Sequence, residues 1–573
     1  MERRVLLAIT LSFLVLFLFQ RFVMPPPASV PAVPPAGTSA GQAPGSPQAS
    51  AVPSAATGEA RTDPAEAARR EGGPAIAATV SESNARQIVV ETSKVKAIFS
   101  NQGATIVHWI LKEYRTDAGQ PLDIVPGGAG PDAIKPFALT VDDPAISTRL
   151  KNAIYRVTVN GAPAGEMVDV TASPQTIVFE AASEDGLSVK KTFVLEPTSY
   201  VIGFGADVRK GSERLNPSIQ WGPGLGDDIA RAKPASFFSP SYNTPAQAIV
   251  HKDGKVERIA FTASGLREGA MRYAGIDDHY FVSMLLNEQN TQVVRMDFAP
   301  VSVPQPDDPA ITGRYVNYSV RFQTPQDLSR FFFGPKEFDT LRAIDPEMTR
   351  VINFGIFAWL AAPLLGALKW VHGFIGNWGW AIIVLTLLIN IVLFPLRHKS
   401  VVSMRKMQAI QPKMKAIQDR YAKYKITDPE RNNMNTEVMA LYKAEGVNPA
   451  SGCIPMLLTF PFLFGFYNML SQSIEIRGAD FVGWIHNLSA PDPLYILPIV
   501  MGIAQFWQTK MTPSTADPAQ QRIMMFMPIM FTVMSLSFPS GLVIYWLVST
   551  LFTIGQQYFT NYLIGAPPKP AVK

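Results

Sequence analysis

Polar side chains within otherwise apolar segments are the residues of this sequence whose types and spacing could do chemistry. Thr386 and Asn390 are four residues apart and would share one face of a helix. Such side chains are costly in hydrocarbon and therefore usually face protein, water or a substrate path. Hydrogen bonds between neighbouring helices would satisfy the same groups, so both interpretations stay open. Later apolar segments add further members of this set: Thr459, Gln505, Gln508, Thr509, Ser535, Ser537, Tyr545, Ser549 and Thr550.

Motifs for covalent catalysis are missing from the sequence. It contains no G-x-S-x-G elbow, no P-loop, no HExxH and no dinucleotide fingerprint between a strand and a helix. His108, His251 and His279 are scattered and match no metal-ligand spacing. The one cysteine, Cys453, excludes an intramolecular disulfide. We therefore expect a protein that is not an enzyme and that needs no metal or cofactor.

The composition indicates that membrane-embedded elements position the polar groups. Of the 573 residues, 47% are hydrophobic and 17% are charged, which is a low charge content for a soluble protein. A helix of about 20 apolar residues crosses the roughly 30 Å of hydrocarbon in a bilayer. Long apolar stretches that approach this length cover residues 378–396, 454–470, 494–508, 523–538 and 542–558.

The N-terminal half divides into three predicted parts. An apolar run behind Arg3 and Arg4 has no small-x-small site after it, so residues 1–24 are predicted to be an uncleaved transmembrane anchor, with a signal peptide as the alternative. Residues 25–85 are rich in proline and alanine and predict a disordered linker. Residues 86–335 contain short alternating runs such as YRVTVN and QTIVFEA, which predict a large antiparallel β-sandwich.

Positive charge is concentrated in one segment of the C-terminal half. Residues 397–450 hold eleven Lys or Arg against five Asp or Glu, a net charge of +6 in a chain whose total is +5. Basic loops of membrane proteins stay in the cytosol. This predicts six transmembrane helices, with the N- and C-termini in the cytoplasm and the β domain on the outer side of the membrane. A general basic groove for DNA is not indicated.

The same topology assigns the remaining segments. An extra crossing near Val351 would place the basic loop outside, so residues 336–375 are predicted to be an interfacial amphipathic helix region. Residues 376–563 form a five-span core, and 564–573 form a tail. Within 397–450, apolar residues at spacings of three and four predict a helical hairpin, in which Pro412 should kink or restart the first helix. A solvated hairpin and one that docks onto an acidic partner both fit.

Six blocks of the C-terminal half resemble the YidC family of bacterial membrane protein insertases. The resemblance extends to an N-terminal anchor, a large periplasmic domain and a five-span core. It implies a galactose-mutarotase-like sandwich for the periplasmic domain, without sugar chemistry. In chain order the blocks read GNWGWAIIVLTLLINIVLFPL, MQAIQPKMKAIQDRY, MALYKAEGVNPASGCIPMLLTFPF, WIHNLSAPDPLYILPIVMG, ADPAQQRIMMFMPIMF and FPSGLVIYWLVS.

The resemblance implies insertion and chaperoning of membrane proteins without covalent chemistry. A water-containing groove in the core, open to the cytosol and to lipid, would guide nascent hydrophobic segments into the inner membrane. The implied partners are nascent inner-membrane proteins, the Sec translocon, the ribosome and the lipid bilayer. The implied groove residues are Thr386, Asn390, Arg397, Thr459, Phe460, Leu463, Gln505, Gln508, Thr509, Ser535, Tyr545 and Trp546. The implied ribosome-facing residues are Lys413, Lys415, Arg420, Lys423 and Asp517.

Asn390 departs from the family pattern, which commonly has a lone arginine in the groove. Arg397 lies seven residues further on, about 10 Å along a helix and nearly on the same face, and could supply the charge instead. Thr459 stands where a glutamine is common, whereas Thr386 and Tyr545 match the family. Hydration of the groove without a charge is the competing interpretation.

Two functions from other classes are alternatives. A secondary transporter would need paired ionisable groups near mid-membrane and an internal repeat, and the sequence has neither. A membrane-anchored carbohydrate-processing or carbohydrate-binding protein would need paired carboxylates or a histidine in a cleft of the β domain, which only a structure can test.

Overall fold

A computed structural model describes a β domain followed by a helical region. The predicted anchor and most of the predicted linker lie outside the described residues, as do Asp517 and the side chain of Thr459. The described residues are 78–116, 119–127, 133–225, 246–260, 264–289, 292–304, 312–424, 430–446, 454–512 and 518–565.

Twenty-two strands build the described part of the β domain. The first of them begins within the segment predicted as linker. In chain order they are β1 (Ala78–Val80), β2 (Gln87–Glu91), β3 (Val95–Ser100), β4 (Thr105–Arg115), β5 (Pro121–Asp123), β6 (Ala138–Thr140), β7 (Arg156–Val159), β8 (Ala162–Pro163), β9 (Met167–Asp169), β10 (Gln175–Ser183), β11 (Leu187–Leu195), β12 (Val201–Lys210), β13 (Glu213–Leu215), β14 (Ser218–Trp221), β15 (Gln247–Lys252), β16 (Lys255–Ala260), β17 (Gly265–Ala270), β18 (Tyr273–Asp277), β19 (Phe281–Leu286), β20 (Val293–Pro304), β21 (Thr312–Phe322) and β22 (Ser329–Pro335).

The strands form three sheets. The largest has twelve strands in the order β16-β15-β18-β19-β22-β12-β11-β10-β7-β8, with β1 beside β10 and β13 beside β12. Two five-stranded sheets have the orders β17-β20-β21-β14-β6 and β5-β4-β3-β2-β9. β2 and β9 are parallel, whereas long hairpins such as β10–β11 and β20–β21 are antiparallel. The predicted β-sandwich is therefore confirmed in these residues.

Buried aromatic rings hold the sheets together. Phe333 of the largest sheet stacks on Trp221 of the second, with ring centroids 4.1 Å apart. The Trp109 indole on the third sheet donates a 3.1 Å hydrogen bond to the Phe333 carbonyl oxygen. Phe137 packs edge-on against Phe193 at 5.2 Å. Burial of each such ring contributes about 1.5–3 kcal/mol, so this cluster is the main hydrophobic link between the sheets.

Nine α-helices are described outside the strands, with one of them inside the β domain. Short 3₁₀ turns lie at Pro346–Val351, Gly355–Phe357 and Ile474–Ile476. The helices are α1 (Pro144–Asn152), α2 (Phe338–Ile344), α3 (Ala358–Ile375), α4 (Trp378–Arg420), α5 (Glu430–Ala444), α6 (Ile454–Gln472), α7 (Ile496–Met511), α8 (Pro518–Ser535) and α9 (Ser540–Ile564).

α4 is one unbroken helix of 43 residues, about 65 Å long. The Asn377 side chain caps its start by accepting the Trp380 amide at 3.1 Å. The predicted restart at Pro412 is wrong, because α4 continues as one helix through that exposed residue, whereas the predicted kink stays a prediction. Tyr442 of α5 contacts the helix on both sides of Pro412, through Met407 and Ile410 before it and Met414 after it. These contacts support the helix where Pro412 cannot donate a backbone hydrogen bond.

Two described helical segments are long and apolar enough to cross a membrane, Gly355–Ile375 and Trp378–Arg420. α7 has 16 residues, about 24 Å, and so is shorter than the roughly 30 Å of hydrocarbon. The count of six spans therefore stays a prediction.

α3 occupies part of the segment predicted to be interfacial. One face, which includes Leu365 and Leu368, is buried against neighbouring helices, whereas Trp359, Trp370 and Phe374 on the other are more than 60% exposed. This exposed face is aromatic rather than charged, so α3 meets the composition criterion for a span as well. Aromatic side chains of this kind are typical of the boundary between lipid and water.

Candidate functional site

A chain of polar contacts joins α4 to α9 around Asn390. The Asn390 side chain is 2% exposed, and its amide nitrogen donates to the Thr386 carbonyl oxygen at 2.7 Å and to the Ser549 hydroxyl at 3.2 Å. Thr386 is fully buried, and its hydroxyl donates to the Ile382 carbonyl oxygen at 2.6 Å. The structure therefore brings the predicted pair Thr386 and Asn390 together on one helix face.

Arg397 reaches back along α4 into this cluster. Its guanidinium donates to the Asn390 Oδ1 atom at 2.6 Å and to the Thr553 hydroxyl at 3.4 Å. The positive charge thus lies against the Asn390 side chain.

Tyr545 lies one helical turn before Ser549 on α9 and extends the cluster. It is 5% exposed, and its ring stacks on Phe466 of α6 with centroids 4.1 Å apart. Three helices, α4, α6 and α9, therefore meet at this point.

The polar residues of α7 and α8 form a separate group. The Thr509 hydroxyl donates to the Gln505 carbonyl oxygen at 2.8 Å, and the Ser535 hydroxyl donates to the Thr532 carbonyl oxygen at 2.8 Å. Gln505 and Ser535 are buried, while Gln508 and Thr509 are half-buried. These two hydrogen bonds run within single helices, so they do not join this group to Asn390.

α7 and α8 approach each other closely at Gly502. A β-carbon added there would lie 2.0 Å from the Thr532 hydroxyl oxygen, so the contact requires glycine. This close packing against α8 fixes the orientation of α7 and therefore the direction in which its polar residues face.

The remaining predicted groove residues are aromatic or aliphatic. Trp546 packs against Phe531 at 5.5 Å, Leu463 is half-buried against the core, and Phe460 is 47% exposed. Thr459 belongs to α6, although its side chain lies outside the described part of the chain.

Thr553 and Gln556 of α9 also lie near the Asn390 cluster, although they were not predicted from the sequence. Thr553 contacts Arg397, and the Gln556 amide donates to the Phe394 carbonyl oxygen at 3.4 Å. Thr553 follows Ser549 by four residues, so the helical spacing that singled out Thr386 and Asn390 would have found it.

Two of the predicted ribosome-facing cations form ion pairs within the hairpin. Lys413 contacts Glu445 at 2.6 Å, and Arg420 contacts Glu437 at 2.7 Å. The side chains of Lys415 and Lys423 are exposed, and the Lys423 ammonium lies 5.1 Å from the centre of the Tyr424 ring.

The β domain contains a cavity of about 420 Å³ on the second sheet. Asp297 is the one carboxylate among its lining residues, which also include Gln220, Asn317 and Ser319. A glycosidase usually needs two carboxylates on either side of the bond that it cleaves. Within the described residues, no group of three or more His, Cys, Asp or Glu side chains could hold a metal ion.

Comparisons with known proteins agree with this architecture. A family model described as "YidC periplasmic domain" matches residues 87–367, and one described as "60Kd inner membrane protein" matches residues 370–566. The membrane protein insertase YidC of Geobacter metallireducens is 33% identical over 579 aligned residues, which cover 99% of each chain. The chain belongs to the YidC family of membrane protein insertases. The resemblance found in the sequence is therefore confirmed.

Further YidC proteins show the same extent of similarity. The membrane protein insertase YidC of Cupriavidus necator is 33% identical and covers 90% of this chain and 91% of its own. A crystal structure of an active YidC insertase with its first transmembrane domain resolved aligns with 84% of this chain and 94% of its own, at 18% identity and a TM-score of 0.34. That overlap is too low to support an argument about geometry. As a YidC family member, the chain is an inner-membrane protein with a periplasmic domain.

Proposed function

We propose that this chain moves nascent hydrophobic segments from the cytosol into the inner membrane through a groove built around Arg397 and Asn390. The supporting observation is the chain of polar contacts from half-buried Arg397 through buried Asn390 to Thr386 and Ser549, in otherwise apolar helices. Polar groups at such a place lower the cost of bringing the hydrophilic flanks of a substrate into the bilayer. The hydrophobic segment itself then partitions into lipid, so no covalent step is needed.

Arg397 gives the groove its charge from a position two helical turns along α4. The charge is useful where a substrate carries an acidic segment, because an unpaired carboxylate in hydrocarbon is costly. Gln505, Gln508 and Thr509 of α7 would supply uncharged hydrogen-bonding groups to water and substrate. Phe460, Leu463 and Trp546 would contact the apolar part of the substrate.

The proposed membrane topology is inferred from the distribution of positive charge along the chain. Six spans, with α3 at the periplasmic interface and both termini in the cytoplasm, would place the +6 segment 397–450 in the cytosol. A span at α3 would invert the hairpin and place that charge in the periplasm. The positive-inside tendency therefore favours the interfacial position for α3.

The ribosome and the Sec translocon are proposed partners. Exposed Lys415 and Lys423 can attract phosphate groups of ribosomal RNA by salt-dependent contacts. Lys413 and Arg420, which are paired with carboxylates, would contribute less. Insertion alone and insertion together with the translocon are both consistent with a groove that opens to lipid.

Photo-crosslinking tests the proposed path. A photoreactive residue at Asn390 or Gln505 should crosslink to a nascent inner-membrane protein during translation, because both side chains lie at the groove. The matched control is Val392, on the same helix as Asn390 but 74% exposed on another face. Crosslinks from Val392 with none from Asn390 or Gln505 would contradict the groove and place the substrate on the outer face of α4.

A carbohydrate function for the β domain is not favoured by any observation at its cavity. The lining residues provide Asp297 but no second carboxylate. Deletion of the β-domain strands would separate the two functions, since insertion should persist without a carbohydrate site.

A further inference from the structure

The position of α6 depends more on α3 than on the other helices of the core. α6 carries Phe460 and Leu463, which are proposed to contact the apolar part of the substrate. Among the described residues, α6 packs extensively against α3 and only slightly against α4 and α9. A change in how α3 sits on α6 would therefore move the two groove residues relative to the Asn390 cluster.

The contact between α3 and α6 is mostly apolar. A β-carbon added at Gly465 of α6 would lie 3.1 Å from a methyl carbon of Leu360 on α3, so the two helices approach closely there. Phe357, just before α3, stacks on Phe464 with ring centroids 5.8 Å apart. In lipid, such contacts gain little from the hydrophobic effect, because the acyl chains are as apolar as the side chains. Polar contacts should therefore contribute to the alignment of the two helices.

A buried ion pair joins α3 to the end of α6. The Lys369 ammonium of α3 donates to the Glu475 carboxylate at 2.9 Å, in the 3₁₀ turn that follows α6. The Glu475 side chain is 5% exposed, and its second oxygen atom is buried without a hydrogen-bond partner in the part of the chain that the structure describes. We call Lys369 and Glu475 the α3–α6 ion pair.

Lys369 also contacts Asp339 of α2, at 2.7 Å, but the two carboxylates differ in burial. The Asp339 side chain is 64% exposed, and an exposed ion pair contributes little to stability. Removal of Lys369 would instead leave the charge of Glu475 buried without this partner, which is strongly unfavourable. α3 therefore cannot turn or slide on α6 without separating the charges of the α3–α6 ion pair.

We propose that Lys369 is a positioning residue for insertion, which through Glu475 holds α6 on α3 so that Phe460 and Leu463 face the substrate. This inference rests on the proposed function. Lys369, Glu475 and Asp339 all lie outside the β-domain strands. A chain without those strands would therefore retain the α3–α6 ion pair, in agreement with the insertion expected of it.

The test compares three substitutions in the full chain. Lys369→Met keeps most of the length of the side chain and removes its charge. Lys369→Arg retains the charge at a similar reach. Asp339→Asn is the matched control, because it removes the exposed partner of Lys369 and leaves Glu475 paired.

Two pairs of photoreactive residues separate the position of α6 from the general state of the core. Crosslinks to a nascent inner-membrane protein from Phe460 and Leu463 report α6. Crosslinks from Asn390 and Gln505, on α4 and α7, report the rest of the proposed groove. The ratio of the two yields is the measurement, because a general loss of fold lowers both.

Lys369→Met should lower the yield from α6 about tenfold relative to the yield from α4 and α7. Tenfold corresponds to about 1.4 kcal/mol, which is close to the contribution of a hydrogen bond that involves charged groups. Lys369→Arg and Asp339→Asn should keep the ratio of the unmodified chain. An unchanged ratio for Lys369→Met, or equal losses for the Met and Arg variants, would overturn the proposal.

A substrate-free measurement distinguishes failure of this proposal from failure of the proposed function. If the unmodified chain gives no crosslinks from Asn390 and Gln505, the proposed groove is contradicted. Nitroxide labels on cysteines at exposed Phe374 of α3 and Phe460 of α6, with Cys453→Ser, then report the contact directly. Lys369→Met should broaden the distribution of distances between the labels, and an unchanged distribution would overturn the role of the α3–α6 ion pair.

The double variant Lys369→Met with Glu475→Leu serves if Lys369→Met does not fold. It removes both charges, so that no buried carboxylate is left unpaired. The distances between the labels should still broaden, because apolar side chains do not restore the directional contact. A distribution equal to that of the unmodified chain would overturn the proposal, since apolar packing alone would then hold α6 on α3.

Discussion

The Arg397 guanidinium donates a 2.6 Å hydrogen bond to the Asn390 side-chain oxygen, seven residues earlier on α4. The charge and the amide therefore act as one unit, in which Asn390 orients Arg397 while it also contacts Thr386 and Ser549. The two interpretations of the sequence, a hydrated groove and a charged one, both involve this pair of residues and stay predictions. Mutations of the pair can separate their contributions.

Arg397→Ala should reduce insertion of a small substrate with an acidic segment by about tenfold, because a hydrogen bond that involves a charged group contributes about 1.5 kcal/mol or more. Asn390→Leu should also impair insertion, since it leaves the guanidinium without its 2.6 Å partner. Protease protection of the substrate in cells depleted of their own insertase measures the effect. Arg397→Lys, which retains the charge but not the planar fork, is the control and should lie in between.

The double variant Asn390→Arg with Arg397→Ala should recover most of the insertion lost in Arg397→Ala. It moves the positive charge from position 397 to position 390 of the same helix. Recovery would indicate that insertion needs a positive charge in this cluster, whether at position 390 or at position 397. Normal insertion by both Arg397→Ala and Asn390→Leu would reject this account and leave the shape of the groove as the cause.

Much of this architecture could be predicted from the sequence, because period-two alternation and long apolar runs depend on local chemistry. The start of α4 at Trp378 and the shared face of Thr386 and Asn390 are of this kind. The continuity of α4 through Pro412 could not be predicted, since it depends on packing against Tyr442 of another helix. The contact of His279 with Ser471 joins residues 192 positions apart, and no local pattern encodes such a pairing.

Charge reversal at Lys415 and Lys423 should weaken association with ribosomes more than reversal at Lys413 and Arg420. The first two are exposed cations, whereas the second two are paired with Glu445 and Glu437. Co-sedimentation at increasing salt measures the difference, and contacts to phosphate should give the steeper salt dependence in the unmodified chain. Equal sedimentation of both double variants and the unmodified chain, at all salt concentrations, would indicate a solvated hairpin instead.

A cysteine introduced at Lys415 should be protected from an impermeant reagent added outside spheroplasts. The prediction follows from six spans with an interfacial α3, which place the hairpin in the cytosol. The native Cys453 is first replaced by serine, and a cysteine at exposed Lys255 in the β domain is the matched control that should label. Labelling at both positions would show that α3 crosses the membrane and that the count of spans is different.

Mild acid should weaken the fold around His279. Burial, together with the nearby charges of Lys336 and Arg477, lowers the pKa of His279 to about 3, although its hydrogen bond to Ser471 acts in the opposite direction. An unfolded histidine has a pKa of about 6.5, so between these values the unfolded chain binds more protons than the folded one. The contribution of neutral His279 to stability is therefore present above about pH 6.5 and is lost as the pH falls towards 3.

Between pH 7.5 and pH 5, the titration of His279 should lower the free energy of unfolding by about 2 kcal/mol. This value follows because pH 5 lies about 1.5 units below the pKa of an unfolded histidine, and each unit corresponds to about 1.36 kcal/mol. Thermal unfolding of the full chain in detergent at both pH values measures it, and His279→Gln should lose less stability on acidification than the unmodified chain. His108 is a control whose stability should depend on pH in the opposite direction. Its hydrogen bond to Asp123 raises the pKa of His108, so protonated His108 stabilises the folded chain in acid. This contribution to stability is lost as the pH rises. His108→Gln should therefore lose more stability than the unmodified chain at pH 5. An identical acid response for the unmodified chain and His279→Gln would mean that His279 is not held neutral where it contacts Ser471.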